Sequence, residues 1–132
     1  VRDARPRYKL EKEQGLQIAD AFFAASRSGD MSALGALLAA DVGMWADGGG
    51  KRPAAAGPVL GYDIVLKLHR SLAVLFGKYG STLVHTGMIN GLPGFVTREA
   101  DGELQTTALE IADGKVTAIY VMRNPDKLRH MH

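Results

Sequence analysis

The chain contains no cysteine among its 132 residues. That excludes a disulfide framework, a thiolate metal site and a cysteine nucleophile together. Long apolar runs are missing as well: no stretch approaches the roughly 20 residues that span a bilayer. The basic start passes into a charged, amphipathic stretch rather than the apolar core of a signal peptide. Neither sign of charge dominates, since 16 basic and 14 acidic residues leave a net charge of +2. The four histidines are scattered without zinc spacing. No metal or cofactor is expected, and a soluble cytoplasmic domain is.

What remains is ordinary globular material. Apolar residues make up 46% and charged residues 23% of the chain, which argues against intrinsic disorder. The length suits one domain that buries its own core. Charge is unevenly placed. Residues 1–12 hold Arg2, Arg5, Arg7, Lys9 and Lys12 against Asp3 and Glu11. Residues 123–132 hold Arg123, Lys127 and Arg129 against Asp126. The two ends together carry about five net positive charges and the body about three net negative ones, so the body is not a nucleic-acid surface.

The segment Val1–Tyr8 is basic and carries Pro6, and it reads as a linker. From Leu10 to Arg27 the spacing predicts a helix with Leu16, Ala19, Phe22 or Phe23 and Ala25 on one face. Ser28-Gly29 ends it. Asp30 is the expected N-cap of a second helix with an apolar stripe of Leu34, Leu37 and Leu38. Val42–Ala46 reads as a short strand, and Asp47–Leu60 as a long loop with four glycines and two prolines. Tyr62–Lys78 is a third helix, with Val65, Leu68, Leu72, Leu75 and Phe76 at helical spacing. Period-two alternation then predicts strands over Thr82–Asn90, Phe95–Glu99, Glu103–Ile111 and Lys115–Arg123, with Asp101-Gly102 and Asp113-Gly114 as turns. Helices followed by hairpin-linked strands imply an α+β fold with an antiparallel sheet, because no crossover helix separates those strands. Three helices fit the concave side of a strongly curved sheet, which makes a cone with room for a pocket.

Two segments stand out. In Asp47-Gly48-Gly49-Gly50-Lys51, three consecutive glycines need a reason, since each loses much conformational freedom on folding. A phosphate-binding loop is excluded: position 45 is Trp, and Lys51 is followed by Arg52 and Pro53. The remaining readings are bare amides that hold a carboxylate, or a plain surface loop. In Asn124-Pro125-Asp126-Lys127-Leu128, Asn as N-cap, Pro at N1 and Asp at N2 specify a helix start. The segment either caps the sheet or forms a docking tail, with Asp47 opposite Lys127 and Lys51 opposite Asp126. Among proton-transfer candidates, His69, His85, Tyr120, Asp63 and Glu110 form no recognisable base–orienter–nucleophile set. Tyr120, between Ile119 and Val121, reads as a core ring with a bonded hydroxyl, and Trp45 as core.

Several segments together resemble the C-terminal, SnoaL-like domain of a subgroup of extracytoplasmic-function sigma factors. Arg5-Pro6-Arg7-Tyr8 resembles the linker that leaves the promoter-binding region, and Asn90-Gly91-Leu92-Pro93-Gly94 resembles a turn between strands. Asp47–Lys51 and Arg123–Leu128 match the glycine and tail motifs. The resemblance implies the cone-like fold shared with nuclear transport factor 2, ketosteroid isomerase and SnoaL cyclases. It implies a non-catalytic regulator that contacts the promoter-binding domains of the same chain and tunes engagement of the RNA polymerase core. Promoter DNA is then met only through domains outside this chain, and no membrane is involved. The residues it implicates are Asp47, Gly48, Gly49, Gly50 and Lys51, and Asn124, Pro125, Asp126, Lys127 and Leu128. The implied division is a linker over 1–9, the SnoaL-like domain over 10–123 and a regulatory tail over 124–132. The alternative is a small-ligand sensor or SnoaL-like enzyme whose cone pocket is lined by Trp45, His85, Met88 and Tyr120. A third reading is a homodimer that pairs through the outer sheet face.

Overall fold

The structure is a computed structural model that describes residues 4–47 and 58–123. Helix α1 spans Ala4–Ser28, α2 Met31–Leu37 and α3 Tyr62–Tyr79. The strands are β1 (Leu38–Asp47), β2 (Val59–Leu60), β3 (Ser81–Ile89), β4 (Leu92–Glu99), β5 (Leu104–Ala112) and β6 (Lys115–Met122). They form one curved, mixed sheet in the order β2-β1-β6-β5-β4-β3.

Local chemistry accounts for the element ends. Pro6 stands in the first turn of α1, where a missing N–H breaks no helical bond, so the helix starts at Ala4 rather than Leu10. Gly29, at φ 82°, closes α1 with its N–H on the Ala25 carbonyl at 3.1 Å. Asp30 caps α2 as expected, its Oδ1 accepting from the Ala33 amide at 3.0 Å. Asn90-Gly91 and Asp113-Gly114 both have positive φ at two successive residues, which is the requirement of a two-residue hairpin turn that follows the strand twist.

Two sequence expectations need correction. Leu38 is the first residue of β1 rather than part of a helical stripe, and the short strand expected over Val42–Ala46 is ten residues long. More important, the sheet is not wholly antiparallel: β1 runs parallel to β6, with Gly43 opposite Ala118 and Trp45 opposite Tyr120. The connection between them comprises β2, α3 and the β3–β5 meander. It satisfies the crossover that a parallel pair needs, but no pair of consecutive strands displays it.

All three helices contribute to one core against one face of the sheet. Phe22 from α1, Leu34 from α2, Val65 from α3 and Phe95, Leu109 and Ile119 from the strands are all fully or almost fully buried. Burying such a side chain contributes roughly 1.5–3 kcal/mol. Helix α1 lies across β4 at close range, because a Cβ on Gly15 would stand 2.9 Å from Pro93 Cγ. Below, the helix-covered side of the sheet is the inner face and the other the outer face. No helix among the described residues is long and apolar enough to cross a membrane.

Candidate functional site

The two motif segments leave the sheet side by side. Strand β1 ends at Asp47 and β6 at Met122, and these two residues are partners in the parallel register. Segments that start about 75 positions apart in the chain therefore begin on neighbouring strands at one end of the sheet. Residues Gly48–Lys51 and Asn124–Leu128 lie outside the described residues, as do both expected charge pairs.

Next to this end, the outer face carries an aromatic pair. Met44 and Ile119 point inward to the core, so alternation turns Trp45 and Tyr120 outward. Their rings stack at 5.4 Å between centroids, and they are 39% and 37% exposed, so neither is the core residue that the sequence suggested. The Tyr120 hydroxyl does have a partner: it donates to Glu110 Oε1 at 3.3 Å. Partial desolvation and the Glu110 carboxylate push its pKa above the usual tyrosine value. Across the sheet, the same register row runs through Ala108, Gly94 and Gly87. With Ala108 from this row in its floor and Trp45, Ile89 and Tyr120 beside it, a shallow outer cavity of about 190 Å³ forms.

The structure does not assemble the pocket expected from Trp45, His85, Met88 and Tyr120. His85 stands on the outer face above Gly87, exposed and three strands from Tyr120. Met88 alternates onto the inner side of the edge strand β3, opposite Pro93. Asp63 and Glu110 are exposed as well. Among the described residues no cluster of His, Asp or Glu is arranged to hold a metal ion.

The inner face holds a polar site larger than the outer cavity. A cavity of about 380 Å³ opens between α1, α3 and the sheet at the end where β1 and β6 stop, with Phe22, Leu72, Phe76 and Val121 in its apolar wall. Arg27, His69, Glu99, Gln105, Thr107 and Arg123 supply its polar groups. Arg27 sits in the last turn of α1, where a cation complements the helix dipole. Its guanidinium lies 3.9 Å from the Phe76 ring centroid. Arg27 Nε donates to Ser81 Oγ at 3.2 Å and Nη1 to Ser26 Oγ at 3.0 Å. Ser81 Oγ in turn donates to Glu99 Oε2 at 2.8 Å, and Thr97 Oγ1 donates to the same oxygen at 2.5 Å. Burial lowers the Arg27 pKa to about 10, partly offset by Glu99, so the side chain stays charged at neutral pH. Arg123 is held by Asp101 in an ion pair at 3.0 Å.

His69 is 4% exposed and packs edge-on to Phe22 at 5.5 Å. Its Nδ1 stands 2.9 Å from the Val65 carbonyl oxygen, a hydrogen bond that requires a proton on Nδ1 and leaves Nε2 as an acceptor. Burial pulls its pKa below the usual histidine value, the Val65 bond opposes this, and the Arg27 charge adds to it.

Sequence reasoning reached His69 but missed Arg27, Glu99, Gln105 and Arg123. One signal was there for Glu99: period two places Thr97 and Glu99 on the same face as Phe95. Arg27 gave no such signal, because a basic residue near a helix end is an ordinary solvated side chain in most sequences.

No protein-family model matches the sequence. The chain is 31% identical over 121 residues to the extracytoplasmic-function RNA polymerase sigma factor SigJ of Mycobacterium tuberculosis, a match that covers 84% of this chain and 38% of that protein. The SigJ crystal structure superposes with a TM-score of 0.66 at 29% identity, over 95% of this chain and 47% of that one. The chain is homologous to part of SigJ and has the fold of SnoaL-like and NTF2-like proteins. It spans less than half the length of that sigma factor. The fold extends to more distant proteins, such as a SnoaL-like protein of Burkholderia thailandensis, with a TM-score of 0.65, 16% identity, and 83% of this chain and 93% of that one covered. An NTF2-like protein of Burkholderia xenovorans aligns with a TM-score of 0.61 at 16% identity, over 86% of this chain and 85% of that one.

Proposed function

We propose that this SigJ-related domain is a non-catalytic, cytoplasmic regulator that acts from within a sigma factor. It docks on the promoter-binding domains of its own chain and tunes their engagement of the RNA polymerase core; promoter DNA is met through those domains alone. Residues 1–9 lead in from the promoter-binding region, with α1 continuing into them, 10–123 form the body, and 124–132 the regulatory tail. Asp47–Lys51 and Asn124–Leu128 make the regulatory contacts.

The observation that carries this reading is the partnership of Asp47 with Met122 at one end of the sheet. Both motifs start there, so a single docking event can engage both. The exposed Trp45–Tyr120 stack flanks the same end and offers the kind of apolar, aromatic surface that anchors protein contacts. A tethered domain works at high effective concentration, so weak contacts suffice and a signal need shift the docked fraction by only a few kcal/mol.

Calorimetric titration of the promoter-binding region of the parent sigma factor with this domain tests the reading. Saturable binding is expected, weakened several-fold by Asp47→Ala at unchanged melting temperature. Equal affinity of the wild type and the variant would remove the glycine segment from the interface.

A further inference from the structure

Arg27 and Arg123 line the same inner cavity, and each keeps one side-chain nitrogen without a partner. Arg27 Nη2 and Arg123 Nε are also shut off from water. A buried donor without an acceptor is costly, and more so on a charged group. The hydroxyls and the acid beside them are largely committed elsewhere. Ser26 and Ser81 hold two of the Arg27 nitrogens, Ser81 and Thr97 both donate to one Glu99 oxygen, and Asp101 holds the terminal nitrogens of Arg123. Left over at the polar end of the cavity are two cationic donors, with the His69 Nε2 acceptor beside them.

The geometry points to this cavity as the binding site of an apolar carboxylic acid. Its ring or chain lies among Phe22, Leu72, Phe76 and Val121, and its carboxylate accepts from Arg27 and Arg123. The choice of an acid over a neutral molecule rests on Arg27. No carboxylate of the described residues is in ion-pair contact with it, and Glu99 is reached only through the Ser81 hydroxyl. A neutral oxygen would satisfy one N–H and leave that charge without a direct counterion. A carboxylate meets both needs and matches the planar fork of a guanidinium. A cationic ligand would face two guanidiniums. Engagement requires each arginine to turn its unused N–H into the cavity, which a long, unbranched stem permits. The volume of about 380 Å³ lies within the range of ordinary small-molecule sites. This inference does not depend on the regulatory role.

The test is a calorimetric and thermal-melting titration of the chain with decanoate and phenylacetate, beside their neutral counterparts decanol and 2-phenylethanol. At least one acid is expected to bind saturably, raise the melting temperature and exceed its alcohol in affinity by about tenfold or more. Arg27→Gln and Arg123→Gln should each remove most of that preference, and Leu72→Trp, which fills the cavity, should abolish binding. If Arg27→Gln fails to fold, the other two variants carry the test. Absence of binding by both acids at millimolar concentration overturns the proposal. So does equal affinity for acid and alcohol, or acid binding that survives Leu72→Trp.

Discussion

His69 is a buried imidazole whose neutral ring has a place in the core and whose charged ring does not. It sits against Phe22, shares a cavity with Arg27, and bonds a backbone carbonyl through one nitrogen. Its pKa is therefore lower when folded than the 6.5 of the free side chain. The sign of the pH effect follows. Between the folded value and 6.5 the unfolded chain binds more protons, so stability is complete above about pH 6.5 and falls as the pH drops below it. Melting curves of the wild type should show a decline from pH 7 to pH 5. His69→Gln, which keeps a polar group beside Val65 but does not titrate, should be flatter over that interval. Parallel declines would assign the acid sensitivity to other groups. The Tyr120–Glu110 bond lies at the opposite extreme: it is exposed, and adds little to stability.

Among the elements, α2 depends most on its ends. Seven residues are too few for a helix to persist alone, so its cap and its buried Leu34 hold it in place. Asp30→Ala removes the bond to the Ala33 amide and should cost about 1 kcal/mol in chemical denaturation, with no change in fold. A loss below about 0.3 kcal/mol would mean that α2 is fixed by packing alone. The hairpin turns were legible in sequence because Asp113-Gly114 needs positive φ at both residues and few dipeptides tolerate that. The pairing of β1 was not legible. Its alternation identifies a strand, but nothing in Leu38–Asp47 says that its partner is β6, about 75 positions onward and parallel.

At the scale of the molecule, the sheet brings the ends of β1 and β6 together and so gives the glycine and tail motifs a common origin. On the proposed regulatory role, removing residues 124–132 changes promoter output of the parent sigma factor by several-fold. The melting temperature should stay within a few degrees, because the core of the described residues is built upstream of the cut. Identical output from truncated and intact parents would leave the tail without a regulatory role, and a collapse in melting temperature would make it structural.

The sequence by itself determined the three helices, the hairpin meander, the Asp30 cap and, through the glycine and tail motifs, the relationship to sigma factors. These are carried by spacing, turn chemistry and short motifs, all of which act between residues close in the chain. Tertiary structure alone decided that β1 lies parallel to β6, that Trp45 and Tyr120 stack on the outer face, and that Arg27, Glu99 and Arg123 meet in one cavity. Each of those contacts joins residues far apart in the chain. Local propensity says nothing about such pairs; they follow from how the apolar faces of helices and sheet are buried together.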